Sequence, residues 1–349
     1  MKKFLLIFLI FLATGTGVVL GFLTKNGNLK NLTANFNIRK ANITSSSEEE
    51  KDKKNIFPQP QKEKSKLAEK DIINILLLGI DRRSKSATAY NTDTMILLSA
   101  NPRDNVILLT SIPRDVWING NKINALYSTQ GEESLTNAFE KITGLDVDGY
   151  IRCDFEDFRW IVNSFGGVPV DVERSFTDVH FPNNTDSGLK PVSFEAGREV
   201  MDGWRALDFA RSRKGTNGEG SDLMRAKRQH RILMGMVDGI SQPKSDFWPM
   251  DIAKFYEAVT QRMHTTLSLT DVKYLWDYYK DRDDYEIVSF VVDDEYIYHP
   301  GMYPNSEYHA WVFVPRDSTW GDLHADVQGM LFPRDEEEAN IETGETKTL

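Results

Sequence analysis

INILLLGIDRRSKSATAYNTDTMILLSANPRDNVILLTSIPRD, residues 73–115, sets three apolar runs among charges that a buried sheet tolerates poorly. Residues 72–80 and 105–112 are short and almost continuously β-branched or leucine, and residues 94–100 read the same way. Runs of that length and texture are strands covered on both faces. Between the second and third, Asn101-Pro102-Arg103-Asp104-Asn105 has the composition of a tight turn, which predicts an antiparallel hairpin. If residues 81–91 also reverse the chain, the order is up, down, up. Asp81 at the end of the first strand, Asp93 at the start of the second and Arg114 at the end of the third then share one sheet edge. Two carboxylates beside guanidinium groups at the rim of an apolar sheet suit a divalent cation together with a phosphate.

Composition narrows the function classes. The chain has 349 residues, 40% of them hydrophobic, enough for one large domain or two ordinary ones with a full core. A formal net charge of -10 argues against nucleic acid as a partner, since that binding needs a basic face. The single cysteine, Cys153, excludes an intrachain disulfide framework and a lipid-modified N-terminal cysteine. No Cys/His spacing suits zinc, and the six histidines include no His-Glu-x-x-His pair.

Residues 4–23 carry no charge and are long enough to span about 30 Å of hydrocarbon. Ala13-Thr14-Gly15 offers the small residues of a cleavable signal peptide, but the apolar stretch runs on to Phe22-Leu23, which favours an uncleaved transmembrane signal anchor over residues 1–23. Lys2 and Lys3 then stay cytoplasmic and the rest of the chain lies outside the cytoplasmic membrane, a reading that Lys25 and Lys30 oppose. Residues 24–70 are polar and lack apolar periodicity, the composition of a disordered stalk. The folded domain is expected over residues 71–333, followed by an acidic tail at 334–349.

Past Asp115, helical and strand-like patterns alternate. Leu135, Ala138, Phe139 and Ile142 recur at helical spacing over residues 132–143, with Gly144 as a stop. Residues 150–153 read as a strand, 155–164 as a helix carrying Phe158, Ile161 and Val162 on one face, and 168–172 as a strand. Interleaving of this kind predicts an α/β sandwich with helices on both faces of the sheet. Residues 253–263, 270–279 and 320–331 read as helices, 286–292 and 311–314 as strands. Asp293-Asp294-Glu295 suits either a solvated turn or a second cation site. Tyr296, Tyr298, Tyr303 and Tyr308 suit a sugar-binding surface and, equally, core packing or an interface.

The second charged cluster lies in residues 201–240. A short helix over 202–210 runs into Arg211-Ser212-Arg213, a flexible loop covers 215–220, and Ser221 is placed to cap a helix from Asp222 onward. Arg225, Arg228 or Gln229, and Ile232 recur on that helix at three and four residues, so its polar members share one face near the N-terminus, where backbone N–H groups favour an anion. Four arginines around a glycine-rich loop repel one another unless a polyanion sits between them, and guanidinium matches phosphate bidentately. The bland alternative is pairing with surface carboxylates.

Together these residues resemble the LytR-CpsA-Psr family of cell-envelope proteins. The resemblance rests on Gly79-Ile80-Asp81-x-Arg83, Asn91-Thr92-Asp93-Thr94, Ser111-Ile112-Pro113-Arg114-Asp115, Lys122-Ile123-Asn124-Ala125 and Phe165-Gly166-Gly167-Val168. It continues in residues 207–213 and Asp222-x-x-Arg225-x-x-Arg228-Gln229, so the motif core covers residues 73–240. It implies a mixed central β-sheet sandwiched between α-helices. It further implies transfer of a glycopolymer from a polyprenyl-pyrophosphate carrier to a peptidoglycan hydroxyl, forming a phosphodiester. Carried over by position, Asp81 and Asp93 would hold Mg²⁺, with Mn²⁺ as the substitute, and Asp81, Asp93 and Arg114 would be catalytic. Arg83, Arg114, Arg211, Arg213, Arg225 and Gln229 would bind the pyrophosphate. Asn91 stands where many members have arginine, and the loop over 214–221 departs from the family pattern.

The donor's hydrocarbon tail needs shelter worth about 0.8 kcal/mol per methylene, which predicts an apolar channel drawing on Leu135, Phe139, Phe155, Phe158 and Val162. The proton acceptor is open among Asp81, Asp93 and Asp115. Two other classes fit the same residues: a lipid-pyrophosphate hydrolase that admits water, and a non-catalytic wall-binding or regulatory protein. For the last, the absence of a basic helix-turn-helix pattern counts against direct action on DNA.

Overall fold

The computed structural model describes residues 64–82, 90–183, 187–240, 251–279, 285–301 and 307–333. The expected anchor over 1–23, the stalk up to residue 63, Arg83, Tyr303 and the acidic tail at 334–349 lie outside the described residues.

The three apolar runs form strands β1 (Ile73–Ile80), β2 (Thr92–Asn101) and β3 (Val106–Ser111), antiparallel in succession as the up, down, up order requires. The turn between β2 and β3 is built by its own side chains. Asn101 Oδ1 accepts from the backbone N–H groups of Arg103 at 2.9 Å and Asp104 at 3.1 Å, and Asn105 adopts a left-handed φ of 57°. Strand β4 (Gly149–Asp154) joins β1 in parallel, β5 (His264–Thr265) joins β4 antiparallel, and β6 (Glu286–Val291) joins β3 in parallel. The mixed sheet has the order β5-β4-β1-β2-β3-β6.

Both faces are covered, which is why the residues on either side of the central strands are mostly apolar, with Asn74, Ser99 and Thr110 among the buried exceptions. Leu76, Leu78, Leu97 and Leu108 point into one core with helices α1 (Ile123–Gln130), α2 (Glu132–Thr143) and α8 (Gly321–Leu331). Ile75, Leu77, Ile96, Leu98 and Leu109 point into the other. There they meet α3 (Phe155–Ser164), α4 (Gly203–Arg211), α5 (Asp222–Ile240), α6 (Ile252–Thr260) and α7 (Leu269–Tyr279). Helices α2 and α3 have the bounds that the sequence predicts, because their termini are encoded locally. Asp154 and Asp157 close a capping box at the start of α3, and Gly144 ends α2 in the left-handed region with φ 73°.

Two expectations shift. The fold begins before residue 71: Ser65 caps a 3₁₀ turn over Lys66–Glu69, donates a hydrogen bond to Asp271, and lets Leu67 bury itself at 4% exposure. The strand expected over 311–314 shortens to Val314–Pro315, which pairs with Ile297–Tyr298, while Phe313 makes a single bridge to Val116. No helix among the described residues is long and apolar enough to cross a membrane.

Candidate active site

The site starts from a defect in the sheet. Gly79 faces Thr94 and Ile80 faces Thr92, so Asp93 is the extra residue of a β-bulge. A bulge turns its residue out of the alternating pattern. Gly79 makes this possible, because a Cβ there would stand 2.9 Å from the Cβ of Thr94. Asp81 donates its backbone N–H to Asn91 at 3.3 Å, which keeps it at the same end of the β1–β2 pair as Asp93.

Arg114, just past β3, closes on this edge. Its Nη1 donates to Asp93 Oδ2 at 2.9 Å, and the Asn124 amide approaches Asp93 Oδ1 at 3.4 Å. Asp115 takes the Lys122 ammonium at 2.5 Å and lies 3.6 Å from Arg114 Nε. The geometry expected for Asp93 and Arg114 at one edge is therefore present, and Asn124 and Lys122 join them.

The arginine segment after α4 arrives from the other direction. Asp178 gathers it: Oδ2 accepts from Ser212 Oγ at 2.8 Å and from the backbone N–H groups of Lys214 at 3.0 Å and Arg213 at 3.2 Å. Burial pushes the Asp178 carboxyl up, but these donors outweigh it and hold the pKa below the usual carboxylate value. Arg213 then grips Asp222 bidentately, with both N···O distances at 2.9 Å, and Arg225 reaches the same carboxylate at 3.0 Å. Gln229 joins the two halves, donating to Thr94 Oγ1 at 3.0 Å and to the Ala210 carbonyl at 3.3 Å.

The electrostatics are uneven. Burial lowers the pKa of Arg225, Asp222 opposes that, and the nearby Arg213 and Arg114 guanidiniums lower it further. Its Nε has no hydrogen-bond partner among the described residues. A guanidinium held against two others, with a donor unused, is an arrangement that an anion would complete.

Two hollows meet at this point. A charged cleft of about 490 Å³ is lined by Asp93, Arg114, Asp115, Asp222, Arg225 and Gln229, among others. An apolar cavity of about 120 Å³ lies against the sheet beside α4 and α5, lined by Leu77, Ile96, Phe155, Phe158, Leu207 and Ile232, among others. Asp93, Thr94 and Gln229 line both. Arg211 lines the cavity, its guanidinium 4.6 Å from the Phe155 ring centroid and 5.4 Å from that of Phe181.

The predicted channel residues divide. Phe155 and Phe158 line the cavity. Leu135 and Phe139 do not: α2 packs on the opposite face of the sheet, and both are 0% exposed in that solid core. Val162 lies on the cavity's side of the sheet but is packed inside the core rather than along the cavity wall. An apolar helical stripe shows that a face is buried without saying against which side of the sheet.

Arg228, quoted in the motif without a role, is a structural member of the site. It is 0% exposed and donates to the carbonyls of Phe209, Ser212 and Glu219 and to Glu219 Oε2 at 2.7 Å, fixing both ends of the 213–219 loop. Asp222, read only as a helix start, proves to be the shared acceptor for two arginines; an acid three residues before Arg225 was the available signal.

Among the described residues, no group of three or more His, Cys, Asp or Glu side chains is arranged to hold a metal. Two carboxylates at one edge nevertheless fit Mg²⁺, which takes one or two protein carboxylates and completes its shell with substrate phosphates and water.

A sequence model of the LytR_cpsA_psr family matches residues 32–311, and the chain belongs to that family. The fold is that of its solved members. The chain is 33% identical over 193 residues to a polyisoprenyl-teichoic acid–peptidoglycan teichoic acid transferase, TagU, of Oceanobacillus iheyensis, covering 52% of this chain and 56% of the relative. The crystal structure of B. subtilis TagV superposes with a TM-score of 0.57 at 25% identity, over 75% of this chain and 97% of that one. TagT with bound octaprenyl pyrophosphate lipid has the same fold, with a TM-score of 0.51 at 21% identity over 75% of this chain and 91% of that one. The chain spans about half the length of the curated relatives it matches.

Proposed function

We propose that this protein transfers a glycopolymer from a polyprenyl-pyrophosphate carrier to a peptidoglycan sugar hydroxyl. The observation that carries the proposal is the junction at Asp93, Thr94 and Gln229, where an apolar cavity meets a charged cleft that presents Arg114 and Arg225. A lipid diphosphate has that same polarity along its length. The names of the relatives, teichoic acid transferases, and the octaprenyl pyrophosphate seen in TagT support the reading.

In this mechanism Arg114, Arg211, Arg213 and Arg225 hold the diphosphate oxygens, with Gln229 donating beside them and Arg83 as a further contact. The acceptor oxygen attacks the phosphorus that bears the glycopolymer. The bond from that phosphorus to the bridging oxygen breaks, and polyprenyl phosphate leaves. The hydroxyl proton passes to one carboxylate among Asp81, Asp93 and Asp115. Charge builds on the bridging and equatorial oxygens, so preplaced guanidiniums lower the barrier. Asp81 and Asp93 would hold Mg²⁺, which when bound supplies further positive charge to the same oxygens. The cavity receives the first part of the prenyl chain, with Phe155 and Phe158 against it. Residues 1–23 would anchor the chain in the cytoplasmic membrane with the domain over 71–333 outside, where both substrates meet.

The test is incubation of the full chain with a lipid-pyrophosphate-linked glycan, Mg²⁺ and peptidoglycan. Polymer covalently on the glycan supports the transferase. Release of phosphorylated polymer into water, with none on the glycan, assigns the hydrolase instead. Arg114→Ala should slow transfer by about 10³-fold, by analogy with arginine fingers.

A further inference from the structure

We infer that the arm formed by residues 293–299 and 311–316 is an acceptor subsite: a platform on which a peptidoglycan sugar lies, with Trp311 and Tyr298 stacking on it and His299 hydrogen-bonding to it. Only the word acceptor rests on the transferase reading; the sugar site itself does not.

The arm is fastened to the catalytic edge. Phe313 donates its N–H to the Asp115 carbonyl at 2.9 Å and accepts from the Trp117 N–H at 2.8 Å, so it is in register with the residue that follows Arg114. At its other end, Val292 donates to the Ser111 carbonyl at 3.0 Å, and Arg316 donates to the Tyr296 carbonyl at 2.8 Å. Movement of the arm relative to Arg114 would break this pairing.

Its aromatic rings are displayed rather than buried. Trp311 is 44% exposed and Tyr298 is 41% exposed, against 0% for Phe139 or Phe255 in the cores. Trp204 is the other large aromatic that is exposed to this degree among the described residues, and it lies away from the cleft. Leaving that much apolar surface in water is costly, and the cost is offset when a ligand covers it. The rings are also held still. His299 lies 3.8 Å from the Trp311 ring by centroid, Phe313 meets Trp311 edge-on at 87°, and the Arg316 guanidinium sits 5.7 Å from the Tyr298 ring. Rigid aromatic surface beside a few polar groups is how proteins take flat, partly apolar ligands with hydroxyl rims.

His299 supplies such a group. Its Nδ1 donates to the Val312 carbonyl at 2.8 Å, which leaves Nε2 as an acceptor, and that atom is buried without a partner among the described residues. A sugar hydroxyl would complete it.

Position selects the acceptor over the lipid. Trp311, Tyr298 and His299 line the charged cleft and none lines the apolar cavity. In an in-line displacement the entering oxygen stands opposite the leaving one. With polyprenyl phosphate departing toward the cavity, the entering sugar comes from the side of the cleft that this arm forms.

The experiment is calorimetric titration of the full chain in detergent with a soluble N-acetylglucosamine–N-acetylmuramic acid tetrasaccharide and, separately, with farnesyl pyrophosphate and a lipid-pyrophosphate-linked disaccharide. Trp311→Ala and Tyr298→Ala should each weaken tetrasaccharide binding by about tenfold or more while farnesyl pyrophosphate binding stays unchanged. Trp311→Phe should restore most of the affinity, and Trp204→Ala should change neither ligand. Should Trp311→Ala fail to fold, Tyr298→Ala decides. The inference is overturned if both variants bind the tetrasaccharide as the wild type does, if the wild type does not bind it, or if only the lipid-linked disaccharide is weakened. Loss of farnesyl pyrophosphate binding in Arg114→Ala alongside unchanged tetrasaccharide binding in Trp311→Ala leaves the transferase reading standing without the platform. A wild type that binds the tetrasaccharide through Trp311 but ignores pyrophosphate leaves the platform without the transferase.

Discussion

Arg225 and Arg228 sit three residues apart on one helix and have opposite duties. Arg225 faces the cleft beside Arg213 and Arg114 and keeps one donor unused. Arg228 spends its donors on backbone carbonyls and Glu219 in the interior. Replacing Arg225 by Ala should weaken pyrophosphate binding by about 1.5–3 kcal/mol, the range for a charge-assisted hydrogen bond, with little loss of stability; parallel titration and denaturant unfolding check this. Replacing Arg228 by Ala leaves Glu219 with Arg174 as its remaining partner and the carbonyls of Phe209 and Ser212 without this donor, and should cost about 3 kcal/mol of stability, read as a lowered unfolding midpoint. The sequence made the arginines legible as a cluster, because spacing along a helix fixes which side chains are neighbours. It left open which of them faces inward, since that depends on where the 213–219 loop folds back.

At the scale of elements, the strands and helices near the site were legible because their punctuation is local: the Asn-rich turn, the Asp154 cap, the Gly144 stop. The bulge at Asp93 was not, since a bulge is a property of two paired strands and only the close approach at Gly79 hints at it. The assignment of Leu135 and Phe139 to the lipid channel failed for a related reason, as nothing in α2 states which sheet face it covers. Helix α5 also contains a pH-sensitive tie. His230 is fully buried, contacts Ser111 Oγ at 2.8 Å and Ser289 Oγ at 2.5 Å, and desolvation depresses its pKa to about 4. Its unfolded value is near 6.5, so as pH falls the unfolded chain binds the proton first. Stability from this group is complete above about pH 6.5 and declines toward pH 4, by up to about 3 kcal/mol. Denaturant midpoints between pH 7.5 and 5 should fall in the wild type and fall less in His230→Gln. The depressed pKa values of Asp178 and Asp222 act in the same direction at lower pH, where those carboxylates protonate.

For the molecule as a whole, one sheet separates a solid core from a core that opens into a cavity, and the cavity meets the cleft at the β1–β2 edge. Ile232→Trp should fill much of the cavity at a stability cost of about 1–3 kcal/mol and raise KM for long prenyl donors more than for a short one; a comparison of octaprenyl and geranyl carriers checks this. The up, down, up order of three strands leaves one edge for Asp81, Asp93 and Arg114, so the first charged cluster was legible in the sequence; that the arginines after α4 reach the same edge had only the family resemblance behind it. The arm formed by residues 293–299 and 311–316 that lines the cleft had no comparable motif, and its tyrosines were equally compatible with core packing. The most direct test of the junction is the affinity of the full chain for octaprenyl pyrophosphate compared with octaprenol, in the wild type and in an Arg114→Ala, Arg225→Ala double variant. Binding that requires both diphosphate and prenyl chain, and that falls by about 10²-fold or more in the double variant while octaprenol binding is unchanged, is the predicted result. Equal affinity of the double variant and the wild type for octaprenyl pyrophosphate would contradict it.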